Sequence, residues 1–174
     1  MSGISLNYKV RTREARNGFL ALATADRREL LDEIGSQVLT WMLLNFDGEK
    51  TPDGTQWEPS ARAREAGGKT LQDKGHLRDS YTYQVDLASE SVEVGSNMIY
   101  AAIHHFGGKT KPHVIKPKNK KALAFGGVVV KQVNHPGSNI PSRAALGLTQ
   151  HDEAEIGEIV IDFYREVLAR GSKA

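Results

Sequence analysis

The chain of 174 residues contains no cysteine. This excludes a disulfide framework, a thiolate nucleophile and a zinc site with cysteine ligands. Long apolar runs are also missing, since none approaches the roughly 20 residues that a membrane-spanning helix needs. The N-terminus lacks the basic and apolar regions of a secretory signal. We therefore expect a soluble protein that is cytoplasmic when made and has no contact with a membrane.

Acidic residues are absent from one long internal segment. Residues 94–151 contain no Asp or Glu, although residues 1–93 carry fifteen and residues 152–174 carry six. The eight basic residues of the acid-free segment are Lys109, Lys111, Lys116, Lys118, Lys120, Lys121, Lys131 and Arg143. The flanks carry only twelve and three basic residues, which leaves a net charge of +2 for the whole chain. A basic segment in an otherwise acidic chain can bind nucleic acid or the acidic face of another copy.

Aromatic residues are few in the basic segment. Lysines on a loop would bind phosphates in a salt-dependent, sequence-independent way. Only Tyr100, Phe106 and Phe125 are aromatic in that segment, so bases would find little to stack on. Lysine-rich loops are also often simply solvated. Direct DNA binding is therefore kept as an alternative function.

Two amphipathic helices are predicted from apolar residues at three- and four-residue spacing. The first begins at Asp26, whose carboxylate is placed to cap it, and ends near Phe46. The second runs from about Asp152 to Arg170, with Gly171 placed to cap its C-terminus. Before the first helix, the weak alternation of residues 1–23 predicts an edge strand or an arm.

Short strands occupy the middle of the chain. Alternating residues predict a hairpin formed by 80–87 and 91–95, followed by one or two helical turns at 100–106. Further strands are predicted at 114–116, 122–125 and 128–133. Helices that bracket antiparallel strands predict an α+β fold, in which the long N-terminal helix and the amphipathic C-terminal helix pack on the sheet.

The chain is long enough to bury one good core, so we expect a single α+β domain at residues 26–170. Residues 1–25 would form an N-terminal arm and residues 171–174 a tail. The domain would contain a basic excursion at 107–136, which is the one candidate for disorder and would be ordered by a neighbour or by DNA.

Three residues of the short helix, Tyr100, Ile103 and Phe106, are expected to pack in the core. His104 is then either a hydrogen-bonded structural histidine or an interface residue. Gly75 either permits a turn with positive φ or is an ordinary loop glycine. Arg143 either pairs with a carboxylate or is exposed.

Catalytic patterns are weak. His104, His105 and His113 could offer nitrogens to a metal, but adjacent histidines on a helical turn diverge and no carboxylate is nearby in sequence. There is no Gly-x-Ser-x-Gly elbow, and none of the paired glycines begins a phosphate-binding loop. We assign no catalytic, metal-binding or cofactor-binding residue and expect a protein that is not an enzyme.

Six segments, in this order and spacing, resemble the virion morphogenesis or tail-completion family of tailed bacteriophages, the Mu-like and P2-like neck proteins. They are 51–57, 71–80, 92–96, 100–108, 135–137 and 140–143. The resemblance covers roughly residues 26–169. The positions that carry it are Trp57, Gly75, Leu77, Ser80, Gly95, Tyr100, His104, Phe106, Gly107, Gly108, Pro136, Gly137 and Pro141.

The chain departs from the family pattern at two places. The family usually has a Pro-Phe pair after the arginine, whereas Ala144 and Ala145 follow Arg143 here. This puts in doubt a docking role for an aromatic residue at that place. The residue after His104 is often glutamine in the family and is His105 here.

The resemblance implies a non-enzymatic assembly protein of a phage or prophage. Such proteins complete the tail or join the head to the tail as a ring of identical subunits, for which a hexamer is the first guess. The implied partners are further copies of the chain and other head or tail proteins, and the protein would become part of the virion. The candidate interface for a subunit or for DNA consists of Lys109, Lys111, Lys116, Lys118, Lys120, Lys121 and Arg143.

Overall fold

The computed structural model describes residues 12–125 and 127–173, and within them the chain has an α+β fold. The α-helices are α1 (Thr12–Ala23), α2 (Arg27–Gly48), α3 (Ala61–Ala66), α4 (Ala101–Phe106) and α5 (Gln150–Lys173). The strands are β1 (Tyr81–Asp86), β2 (Ser91–Ser96), β3 (Gly108–Lys109), β4 (His113–Ile115), β5 (Leu123–Phe125), β6 (Val128–Val130), β7 (Val133–His135) and β8 (Asn139–Ile140). A 3-10 turn, Arg78–Ser80, precedes β1.

The predicted helices and the hairpin are confirmed. The Asp26 carboxylate accepts a hydrogen bond of 2.9 Å from the backbone N–H of Arg28, as an N-terminal cap should. Thr149 and Asp152 bond each other's backbone N–H at the start of α5, with distances of 3.2 and 2.7 Å. β1 and β2 form a two-stranded sheet, and exposure alternates along β1 from buried Tyr81 onward.

The described residues fall into two compact units. The first unit consists of the described parts of residues 1–40 and 148–174 together with 82–94. The second unit consists of residues 41–81 and the described part of 95–147.

In the first unit, α1 packs along α5 at small residues. Gly18 is buried, and a Cβ built on it would lie 3.2 Å from Leu168 Cδ2. A Cβ built on Gly171 would lie 2.6 Å from the Cβ of Ala21. The two helices can therefore approach closely because neither glycine carries a side chain.

Two predictions for the chain ends are wrong. Residues 12–23 form helix α1 and not an edge strand, while the rest of that predicted segment, residues 1–11, lies outside the described residues. Gly171 does not cap α5, because the helix continues to Lys173 and Gly171 lies within the contact with α1.

The second unit has an aromatic core. Met42, Phe46, Trp57, Leu77 and Tyr81 are all buried. The Phe46 ring meets the Trp57 ring edge to face, with 5.3 Å between centroids. The buried residues of this unit include none from α4.

The prediction that Tyr100, Ile103 and Phe106 belong to the core is wrong. Phe106 is 77% exposed, Tyr100 is also exposed, and Ile103 is half-buried. α4 has six residues and none of them is buried. A helix of fewer than two turns presents only a narrow apolar stripe.

Candidate interaction surface

The basic segment folds into a long two-stranded antiparallel arm, which we call the β-arm and define as residues 108–140. β3 pairs with β8, β4 with β7, and β5 with β6. The register that joins Gly108 to Ile140 continues to the pair Ile115 and Val133. The predicted strands are thus confirmed in β4, β5 and β6.

The β-arm contains a bulge on its outgoing strand. Residues 116–122 on that strand stand opposite residues 131–132 on the returning strand. Seven residues therefore face two, and the extra residues must leave the ladder. We call residues 116–122 the lysine bulge, because they include Lys116, Lys118, Lys120 and Lys121.

Thr110 and Gly137 lie on opposite strands of the β-arm, between the β3–β8 pair and the β4–β7 pair, and keep these strands paired. The Thr110 N–H donates to the Ser138 carbonyl at 2.9 Å, and the Ser138 N–H donates to Thr110 Oγ1 at 2.7 Å. Gly137 has φ of +90°, which favours glycine. Pro136 precedes this turn and is exposed. The family-motif pair Pro136–Gly137 is therefore a structural element of the β-arm.

Gly107 and Gly108 form the base of the β-arm. Gly107 has φ of +72° and ends α4, and a Cβ built on it would lie 2.8 Å from the backbone nitrogen of Ser142. The Ser142 hydroxyl donates to the His105 carbonyl at 2.6 Å, next to half-buried Pro141. The two strands of the β-arm thus begin and end side by side.

All seven lysines of the β-arm are exposed. They are Lys109, Lys111, Lys116, Lys118, Lys120, Lys121 and Lys131. The β-arm contains no carboxylate, and within residues 12–125 and 127–173 none of these ammonium groups forms an ion pair. The β-arm therefore carries, on exposed side chains, the positive charge that the sequence predicts for this segment.

Arg143 does not share this surface. Its side chain is buried, with 6% of the residue exposed, and its Nε donates to the Glu58 carbonyl at 2.7 Å. Burial lowers the pKa of the Arg143 guanidinium. Of the two alternatives for Arg143, exposure is wrong, because the side chain is buried and donates to the Glu58 carbonyl instead of facing solvent.

Exposed apolar side chains on the β-arm were not predicted. Val114, Val128 and Val129 have 51%, 52% and 69% of their surface exposed. The sequence predicts a strand at the valine run 128–130. It does not predict that side chains on both faces of that strand are exposed to solvent. The exposed valines add apolar area that a protein partner could cover, within a polar and charged rim.

Residues 143–145 pass through the second unit in an extended conformation held by side chains distant in sequence. Trp57 Nε1 donates to the Ala144 carbonyl at 3.1 Å, and Asn45 Nδ2 donates to the Ala145 carbonyl at 3.0 Å. Ala145 is buried. Ala144 and Ala145 stand where the family usually has a Pro-Phe pair. Their backbone carbonyls accept hydrogen bonds, and neither residue offers an aromatic side chain.

The remaining motif positions mostly shape one cleft of the second unit. Gly75, Leu77, Tyr100 and His104 line a cleft of 310 Å³. Gly75 has φ of +80° and accepts a hydrogen bond of 2.9 Å from the Asp79 N–H, which confirms the predicted turn. Near it, the Ser80 and Ser96 hydroxyls lie 2.7 Å apart.

His104 is half-buried at this cleft, and its Nδ1 is buried without a hydrogen-bond partner in the described residues. Burial, with the Arg143 charge second, lowers the pKa of His104. Burial also lowers the pKa of His105. The alternative of a hydrogen-bonded His104 side chain is thus wrong for Nδ1. Gly95 lies in β2, and a Cβ built there would meet nothing within 4 Å.

Groups suited to metal binding are sparse in the described residues. No three or more of the His, Asp and Glu side chains in residues 12–125 and 127–173 are grouped so that they could hold a metal ion. The rings of His113 and His135 stack across the β-arm with 5.0 Å between centroids. None of the described helices is long and apolar enough to span a membrane.

The sequence profile of the phage virion morphogenesis family matches residues 10–164. An α+β chain with this match over most of its length belongs to the phage virion morphogenesis family. It is 30% identical over 146 residues to the Mu-like prophage FluMu G protein 2 of Haemophilus influenzae, and the alignment covers 84% of each chain. No solved structure gives a match. The resemblance inferred from the six segments is thereby confirmed.

Proposed function

We propose that the protein is a non-enzymatic assembly protein that completes the phage tail or joins the head to the tail. It would act as a ring of identical subunits, with a hexamer as the first guess, and would become part of the virion. Family membership supports a role in phage assembly. The observation that carries the finer proposal is the β-arm, which projects seven lysines that have no carboxylate on the β-arm to pair with.

A ring requires two different surfaces on each subunit, one that meets the preceding neighbour and one that meets the next. The chain offers surfaces of opposite charge. The β-arm carries only basic charge, and the segment 152–174 carries three basic and six acidic residues. Charges at the edge of such an interface chiefly set orientation and association rate, while buried apolar contacts contribute most of the affinity.

Loss of the gene from a phage or prophage that encodes the protein tests the proposal. We expect heads and tails to accumulate unjoined, or tails to lack a finished upper end, in electron micrographs. A plasmid copy should restore complete particles. Complete, infectious particles in the absence of the protein would contradict the proposed role.

DNA binding by the β-arm is a second candidate function, because its exposed lysines could neutralise phosphates. A chain that stays monomeric at tens of micromolar and shifts a DNA fragment in a salt-sensitive way would favour this function. Light scattering and a gel-shift assay on the same preparation separate the two. Under the ring proposal, light scattering gives a multiple of the 19.1 kDa chain.

A further inference from the structure

A second charged feature lies in the first unit, between α2 and α5. There the two helices line a cleft of 200 Å³, which we call the acidic cleft. Its lining carboxylates are Glu29, Glu33, Glu158, Asp162 and Glu166.

The acidic cleft also has an apolar part. Ile159 and Phe163 contribute to its lining, and both are half-buried. They are spaced four residues apart on α5, so they lie on one face of that helix. The cleft therefore offers a partner apolar surface in addition to charge.

Part of the negative charge of the acidic cleft is unpaired. Arg170 pairs with Glu166 at 2.8 Å, and Arg165 pairs with Asp162 at 2.8 Å. In the described part of the chain, no basic side chain forms an ion pair with Glu29, Glu33 or Glu158. Three carboxylates of the acidic cleft are thus available to a cationic partner.

The β-arm has the complementary composition. Its lysine bulge carries four unpaired ammonium groups, and Val128 and Val129 expose apolar surface on the strand that forms the end of the β-arm. Residues 108–115 alone extend over roughly 26 Å at about 3.3 Å per residue, which is enough to reach onto the surface of a neighbouring subunit.

We propose that the lysine bulge of one copy docks in the acidic cleft of the next copy. The inference rests on the proposed function, since it specifies the contact that would close the ring. The two surfaces lie in different units of the chain, so the contact joins unlike surfaces. It leaves the acidic cleft of the first copy and the lysine bulge of the second copy free for further copies. Repetition of such a contact generates a ring when the rotation between neighbours closes.

A second copy of the chain fits the β-arm better than DNA does. The acidic cleft supplies both carboxylates for the lysines and apolar contacts for the valines, whereas a phosphate backbone supplies only charge. Docking would also cover Val128 and Val129, which no part of the chain in the described residues buries.

Charge reversal on each side tests the contact. The arm variant carries Lys116→Glu, Lys118→Glu, Lys120→Glu and Lys121→Glu, and the cleft variant carries Glu29→Lys, Glu33→Lys and Glu158→Lys. Each variant alone should associate at least about tenfold more weakly than the natural chain, measured by analytical ultracentrifugation. An equimolar mixture of the two should associate again, because each reversed surface then meets a complementary one.

Matched controls change the same charge elsewhere. Arg13→Glu, Arg16→Glu, Arg28→Glu and Lys74→Glu match the arm variant, and Glu65→Lys, Asp73→Lys and Glu93→Lys match the cleft variant. All seven residues are exposed and lie outside both surfaces. These controls should associate like the natural chain. Circular dichroism of every variant verifies folding, and association of the mixture shows independently that both variants are folded.

The outcomes separate this inference from the proposed function. If the natural chain forms oligomers and the arm variant forms them equally well, the docking contact is wrong while the ring stands. If each variant is weakened but the mixture does not recover, the two surfaces do not meet each other and the inference is overturned. If the natural chain is a monomer at every concentration, the proposed ring fails and this contact fails with it.

Discussion

Gly137 lies so close to Thr110 that a Cβ built on Gly137 would stand 2.2 Å from the Thr110 carbonyl oxygen. The backbone of Gly137 also has φ of +90°. Gly137→Ala should therefore force the two strands of the β-arm apart at this level, at a cost of about 1–3 kcal/mol of local strain. We expect the amide hydrogens of Thr110 and Ser138 to exchange about tenfold faster or more, measured by hydrogen–deuterium exchange with NMR.

Gly127→Ala is the matched control for that change. Gly127 has φ of +78°, but a Cβ built on it would meet nothing within 4 Å. The control should disturb only the turn between β5 and β6 and leave the exchange of Thr110 and Ser138 unaltered. Unchanged exchange at these two amides in Gly137→Ala would show that the close contact does not hold the strands in register.

Gly35 in α2 supports the ring of Tyr83 in β1. A Cβ built on Gly35 would lie 2.4 Å from Tyr83 Cδ2. In an open helix the change from glycine to alanine stabilises by about 1 kcal/mol. At Gly35 the clash should reverse the sign, and Gly35→Ala should lower the free energy of unfolding by about 1–2 kcal/mol in urea titrations.

Gly157→Ala provides the comparison within the same protein. Gly157 lies in α5, and a Cβ there would meet nothing within 4 Å. This variant should be more stable than the natural chain by up to about 1 kcal/mol. If both variants shift stability in the same direction, the Tyr83 ring moves aside easily and its packing on Gly35 is not tight.

Periodicity located α2 and α5 because each has an apolar stripe of its own. α1 was missed because its contact with α5 is made by Gly18 and Ala21, while Phe19 and Leu20 are exposed. A hydrophobic pattern cannot reveal a helix whose buried face consists of small residues. The bounds of α5 were misjudged at Gly171 for the same reason, since glycine there serves helix packing and not termination.

The charge of the β-arm could be read from the sequence, but its shape could not. Its strands are two or three residues long, and their partners lie up to about 30 residues away, so local alternation carries little information. The sequence leaves Arg143 either paired with a carboxylate or exposed, because nothing near it in sequence shows that the Glu58 carbonyl accepts from its guanidinium. Contacts between residues distant in sequence thus decided both outcomes.

Trp57 links the core of the second unit to the extended segment at Ala144. Trp57→Phe keeps an aromatic ring against Phe46 but removes the Nε1 donor to the Ala144 carbonyl. We expect a loss of about 1–3 kcal/mol in the free energy of unfolding, because a half-buried acceptor loses its partner. Trp57→Ala should cost about 3–5 kcal/mol, since it also leaves a cavity beside Phe46.

The difference between the two Trp57 variants separates the hydrogen bond from the packing. Urea titration of both variants beside the natural chain measures it. Equal stability of Trp57→Phe and the natural chain would mean that water replaces the indole donor at Ala144. The segment at residues 143–145 would then depend on the bonds from Asn45 and from the Arg143 side chain and on the bond of 2.8 Å from the Arg143 N–H to the His104 carbonyl.

His104 should make the stability of the protein depend on pH. Its folded-state pKa is lowered from the ordinary value of 6.5, chiefly by burial, so below pH 6.5 the unfolded chain binds a proton that the folded chain resists. The stabilising contribution is therefore complete above pH 6.5 and is lost as the pH falls through the folded-state pKa. His104→Gln should lose less free energy of unfolding between pH 7 and pH 5 than the natural chain does.

His76→Gln is the control for that experiment, because His76 lines the same cleft but is exposed. Its stability should follow that of the natural chain at every pH. Burial lowers the pKa of His105 as well, so part of the pH dependence should persist in His104→Gln and disappear only when both histidines are replaced. Parallel curves for His104→Gln and the natural chain would show that the folded chain does not resist protonation of His104, as expected if water reaches the imidazole.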